Sequence, residues 1–181
     1  MTWATPPTFT DGAVLTGAQL NVLRDDLNET APAKATTSGG LFVATGTNQI
    51  AQRVPATNFV TTVDTTASTV YVASLVSAST GPTVSVTTGT QAMVIMTCAM
   101  FNNTINGRGL MGCNVTGATT ILASDDKALQ LQSSTTGAVY QASIVYYETA
   151  LTAGSNTFTA VYKVTSGTGT FDDRRITVFP F

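Results

Sequence analysis

Gly107-Arg108-Gly109-Leu110-Met111-Gly112 has the spacing of a dinucleotide-binding glycine fingerprint. That fingerprint works when a strand delivers the glycines to a helix N-terminus, where backbone N–H groups meet a pyrophosphate, with an acidic residue about 20 positions on. Here Cys113-Asn114-Val115-Thr116-Gly117 follows, which reads as strand and turn, so the run is expected to be a turn of small residues. Asp125-Asp126 and Asp172-Asp173 are paired carboxylates, the residue type glycoside hydrolysis requires on opposite sides of a bond. Neighbours on a strand point to opposite faces and both pairs sit among turn formers, so both are expected in turns. Asp125 and Asp126 also lack the dense oxygen-ligand spacing of calcium loops. The chain has no histidine, which removes Ser-His-Asp and Cys-His catalysis and the commonest metal ligand. Cys98 and Cys113, the only cysteines, cannot complete a zinc site alone. No enzymatic activity, cofactor or metal is expected.

Composition narrows the partners. Only 10% of the 181 residues are charged and the formal net charge is −2, against a usual charged share of about 25%. No basic cluster offers a footprint for nucleic acid. Between Lys34 and Arg108 the only charged side chains are Arg53 and Asp64. A surface this poor in charge is expected either to be solvated by Thr and Ser or to be covered by partners. No apolar run approaches the roughly 18 residues of a membrane span. The first ten residues, MTWATPPTFT, show neither a charged n-region nor an apolar h-region, so synthesis in the cytoplasm without a signal peptide is expected. Both cysteines then read as reduced, small, buried apolar residues.

The elements that must position these residues fall into three stretches: an arm and helix at 1–33, a connecting hairpin at 34–58 and a head at 59–181. Pro6-Pro7 keeps Trp3–Phe9 extended. Trp3 and Phe9 therefore sit on an arm with no core of its own. Thr16–Glu29 is predicted helical, with Thr16 and Gln19 forming a capping box and Leu15 and Leu20 a hydrophobic staple. Leu20, Leu23 and Leu27 make a narrow apolar stripe suited to a helix seam or to docking on a surface. A helix this short is marginal alone in water. Gly39-Gly40 and Gly46-Thr47-Asn48 bracket two short strands, and two strands alone are also marginal.

Beyond Phe59, turn signals separate candidate strands at Thr69–Val76, Thr83–Thr87, Gln91–Phe101, Leu110–Val115, Thr119–Ala123, Ala128–Gln132, Val139–Glu148, Thr157–Val164 and Arg174–Phe179. This spacing predicts a mainly β fold, with an antiparallel β-sandwich or jelly-roll head following the short arm and helix. Gln91–Phe101 lacks a polar face. Ala92, Val94, Met96, Cys98 and Met100 line one side; Met93, Ile95, Ala99 and Phe101 line the other. One side is expected against the opposing sheet and the second against another copy of the chain or its assembly, or else under a loop of its own chain. Val94, Met96 and Met100 are the candidate oligomer-interface residues of this strand. Arg174 and Arg175, in the densest charge cluster, are candidates for inter-subunit ion pairs.

Trp3, Thr8-Phe9-Thr10-Asp11-Gly12, Val14-Leu15-Thr16, Ala18-Gln19-Leu20-Asn21 and Leu23-Arg24-Asp25-Asp26-Leu27-Asn28-Glu29 together resemble the N-terminal segment of small virion proteins of tailed phages, especially of actinobacterial hosts. The pattern departs at Gly17 and Asp26, where Ala and Asn are common. More loosely, Ser38–Pro55 is similar to linkers of phage fibres, and the C-terminal run from Ser155 to fibre and decoration-protein heads. The resemblance implies a virion structural protein on the phage particle, with the first segment as its attachment module. The expectation is a homotrimeric capsid decoration or head-fibre protein, bound to the major capsid protein or a tail protein through Trp3, Phe9, Leu20, Leu23 and Leu27. The alternative is a minor tail or short tail-fibre protein whose head binds a host surface glycan or protein. Neither nucleic acid nor membrane is an expected partner.

Overall fold

The computed structural model describes residues 7–77, 79–135 and 137–181. The chain divides into two compact units, one formed by residues 1–54 with Phe181 and one by Pro55–Pro180.

The first unit holds α1 (Gly17–Asn28), a single turn α2 (Ala31–Lys34), β1 (Leu41–Gly46) and β2 (Gln49–Arg53). Thr16 caps α1 as its sequence requires. Its Oγ1 accepts from Gln19 N at 3.2 Å, and Gln19 Oε1 accepts from Thr16 N at 2.9 Å. Leu15 and Leu20 each stay about half exposed. β1 and β2 form an antiparallel hairpin, turned at Asn48 in the left-handed region. Gln52 ties the hairpin to the segment before it. Its Oε1 accepts from the N–H groups of Thr36 and Thr37, and its Nε2 donates to Thr37 O.

The second unit is an antiparallel β-sandwich. Its strands are β3 (Ala56–Val60), β4 (Asp64–Thr66), β5 (Thr83–Thr88), β6 (Ala92–Asn102), β7 (Arg108–Gly117), β8 (Leu129–Gln132), β9 (Tyr140–Glu148), β10 (Gly154–Val164) and β11 (Gly169–Pro180). One sheet runs β5-β10-β7-β8; the other runs β3-β11-β6-β9, with β4 paired to β11. The pairs β3·β11, β5·β10, β6·β9 and β7·β8 are nested, like one long hairpin folded over on itself, which is the strand order of a jelly roll. Inner faces alternate as a two-residue period demands. Val84 and Val86, Phe158, Ala160 and Tyr162, and Met111, Cys113 and Val115 meet Val94, Met96, Met100, Phe171, Ile176 and Val178 across the core.

Several segments differ from their sequence reading. Residues 56–58, placed in the connecting stretch, are the first half of β3. Thr69–Val76 is not a strand: it meets β10 only at the Val72–Tyr162 bridge. Thr119–Ala123 reduces to the Ile121–Val115 bridge. β propensity reports fit to a pleated surface and cannot supply the missing neighbour. Asp172-Asp173 is not a turn. It lies inside β11 at a bulge, where the register passes from Asp172↔Ala99 to Arg175↔Thr97 and Asp173 takes φ 47°.

Candidate functional site

The glycine-spaced run lies mostly in β7, not in a turn and not at a helix. Its glycines serve packing. A Cβ on Gly112 would stand 2.9 Å from both the Tyr71 ring and Ala123 Cβ; one on Gly109 would press on Met100 Sδ at 3.2 Å.

The carboxylates are already engaged. Asp125, in a 3-10 turn (Asp125–Lys127), accepts from Lys163 Nζ at 2.7 Å and Tyr71 Oη at 3.0 Å, and Lys163 holds its carboxyl below the usual range. Asp126 is lowered by the Ser124 hydroxyl. Glu148 is buried and bonds Lys127 Nζ at 2.7 Å and the N–H groups of Thr149 and Ala150. Cys98 and Cys113 are free and buried, and burial pushes each thiol up to about 12, so both are protonated and unreactive in the native state. In the first unit a depression of about 340 Å³ is lined by Glu29, Ala44, Gly46, Asn48, Gln49 and Ile50. Glu29 is its single carboxylate and is paired with Lys34 at 3.0 Å. Among the described residues no group of three or more Cys, Asp and Glu side chains converges as a metal site would require.

The candidate oligomer-interface residues separate. Val94, Met96 and Met100 have at most 1% of their surface exposed and are consumed by the core, so they present nothing to a second copy. Arg174 is likewise fully buried. The bulge at Asp173 shifts the parity of β11, turning Arg174 inward and Arg175 outward, which strand alternation alone does not reveal. Arg174 Nη2 donates to Thr62 O at 2.8 Å and lies 3.4 Å from Ser79 Oγ, while its guanidinium sits over the Tyr162 ring. Ser79 Oγ in turn donates to Asp64 Oδ2 at 2.5 Å, and Ser77 N and Thr65 N donate to Asp64 Oδ1. Burial alone would raise the Asp64 carboxyl, but these hydrogen bonds outweigh it and hold the group at about 2. The cluster fastens the irregular excursion between β3 and β5 onto the sandwich; sequence reasoning missed it because its members are far apart in the chain. Arg175 is exposed and lies over the Phe59 ring at 4.5 Å.

Of the candidate anchor residues, Trp3 lies outside the described residues. Phe9, Leu20, Leu23 and Leu27 are 48%, 49%, 37% and 66% exposed. Among described residues 7–54 the only buried ones are Asp26 and Glu29. The first unit thus inverts the usual rule, with acids inside and leucines outside. Hydrogen bonds and an ion pair hold it, and its leucine stripe remains uncovered. No protein-family model matches the chain, and no curated protein matches it.

Proposed function

We propose that the chain is a structural protein of a bacteriophage virion, a homotrimeric capsid decoration or head-fibre protein held to the particle by its N-terminal segment. The observation that carries this reading is the first unit's uncovered Leu20, Leu23 and Leu27 stripe above an interior with no apolar core. A helix of 12 residues in that state lacks the packing that normally stabilises helices of its length. It is built to be completed by another surface. The segment's resemblance to phage virion N-termini names that surface as the particle or sister copies. A sandwich with its own core fits an outward head, and the scarcity of charge fits a chain partly covered by neighbours.

Leu23→Asp tests it by placing an unpaired charge in the seam. The variant is expected to leave the particle while the melting of the head stays nearly unchanged. Retention of the variant at wild-type occupancy contradicts the anchor. Gold labelling of intact particles locates the protein: label on the head supports decoration, and label on the tail selects the minor tail or short tail-fibre reading.

A further inference from the structure

We propose that copies of this chain associate through the outer face of the five-stranded sheet, together with the free edge of β9. The two outer faces of the sandwich are dressed differently. On the four-stranded sheet, register aligns Thr83 with Thr159 and Asn114, and Ser85 with Thr157 and Thr116. The hydroxyls of Ser85 and Thr157 bond each other at 2.8 Å, and those of Thr83 and Thr159 lie 3.4 Å apart. That face is finished for water. On the five-stranded sheet, register aligns Thr177 with Ile95 and Val145, and Phe179 with Met93 and Tyr147. Met93, Ile95, Val145 and Phe179 form a contiguous apolar strip, and Val145 is 57% exposed.

The strip continues into β9, the terminal strand of its sheet, which pairs among the described residues only with β6. At nine residues β9 is longer than the other edge strands β3, β5 and β8. It contains no Pro, Gly, Lys, Arg or Asp, and its one charge, Glu148, is buried and paired. Proteins ordinarily protect such an edge with charge, proline or a bulge, because unpaired N–H and C=O groups recruit other strands. An occupant must therefore bring both a strand edge and an apolar, uncharged face, and this sheet offers both. The face's charges are also self-matching. Arg175 and Asp172 lie on the same strand with opposite signs, so a symmetry-related copy can set one against the other, whereas a partner of a single sign meets a like charge.

This inference rests on the self-association within the function proposed above, and not on the virion. Sedimentation of the full chain, beside Ile95→Glu, Val145→Glu and the opposite-face variant Thr157→Glu, tests it. The wild type and Thr157→Glu are expected to be oligomers at micromolar concentration. Ile95→Glu and Val145→Glu are expected to weaken association roughly 100-fold while keeping their near-ultraviolet circular dichroism. A monomeric wild type overturns both this inference and the self-association it rests on. A wild-type oligomer that resists both glutamates but is dissociated by Leu23→Asp overturns this inference alone, moving the interface to α1. Should the glutamate variants fold poorly, amide exchange of the wild type decides. The β9 amides pointing away from β6 are expected to gain protection as concentration rises, and unchanged exchange overturns the inference.

Discussion

The head and the N-terminal unit solve the same problem in opposite ways. In Pro55–Pro180, burial organises everything: two sheets enclose Val94, Met96, Phe158, Tyr162, Phe171 and Ile176, and even a full positive charge, Arg174, is taken inside. In residues 7–54, polar contacts organise the structure and the large apolar side chains stay outside. Exposed hydrogen bonds and ion pairs each contribute about 1 kcal/mol or less, while a buried Leu or Phe contributes roughly 1.5–3. The head can stand on its own contacts; the N-terminal unit is left to be completed from outside. One chain thus combines a finished domain with an unfinished one, and the finished one need not change when the other docks.

That contrast can be broken most violently in the core. Phe158→Ala removes a fully buried ring at the centre of the four-stranded sheet. It is expected to cost about 3–5 kcal/mol, read as a large fall in the melting temperature of the head. A shift under a degree or two contradicts the packing described.

The Asp64 cluster gives the next effect. The carboxyl titrates at about 2 in the folded head against an ordinary 3.8. A depressed folded value means the contribution is complete above about pH 4 and is lost as pH falls through about 2. Asp64→Asn is expected to lower stability by about 2 kcal/mol near neutrality and to flatten the acid limb of the stability profile. An unaltered limb contradicts the role given to Ser79, Ser77 and Thr65.

In the N-terminal unit the same kind of change stays local. Thr16→Ala removes half of the capping box and is expected to cost α1 about 1 kcal/mol. Helical circular dichroism should fall with no movement of the head's transition. Cys98 and Cys113 supply the smallest effect: no labelling by a thiol reagent in the native state, and labelling of both on unfolding. Rapid native labelling contradicts their burial.

What the sequence disclosed follows the range of the interaction. The Thr16–Gln19 box spans three residues and is written in the chain, as is the β1–β2 turn at Asn48. β5, β6, β8 and β9 show as runs between turn residues because their periodicity is local. β3 is invisible for the opposite reason: Ala56–Val60 is a strand only because β11, more than a hundred residues away, runs beside it. β6 is apolar on both faces, so alternation located the strand and could not say which face enters the core. Val94, Met96 and Met100 were placed outward on that ambiguity and lie inward. Arg174 was hidden by one extra residue in a bulge. The N-terminal stripe was legible because a solvent-exposed stripe has no competing tertiary contacts to disguise it.

The most direct test of the contrast is to cut the chain at Pro55, keeping β3 whole. A fragment of residues 55–181 is expected to be soluble and to unfold in one cooperative transition within a few degrees of the full chain's head, with β6, β10 and β11 amides equally protected. A fragment that is unfolded, or that melts far below the full chain, contradicts the claim that the head is complete in itself and the N-terminal unit is not part of its core.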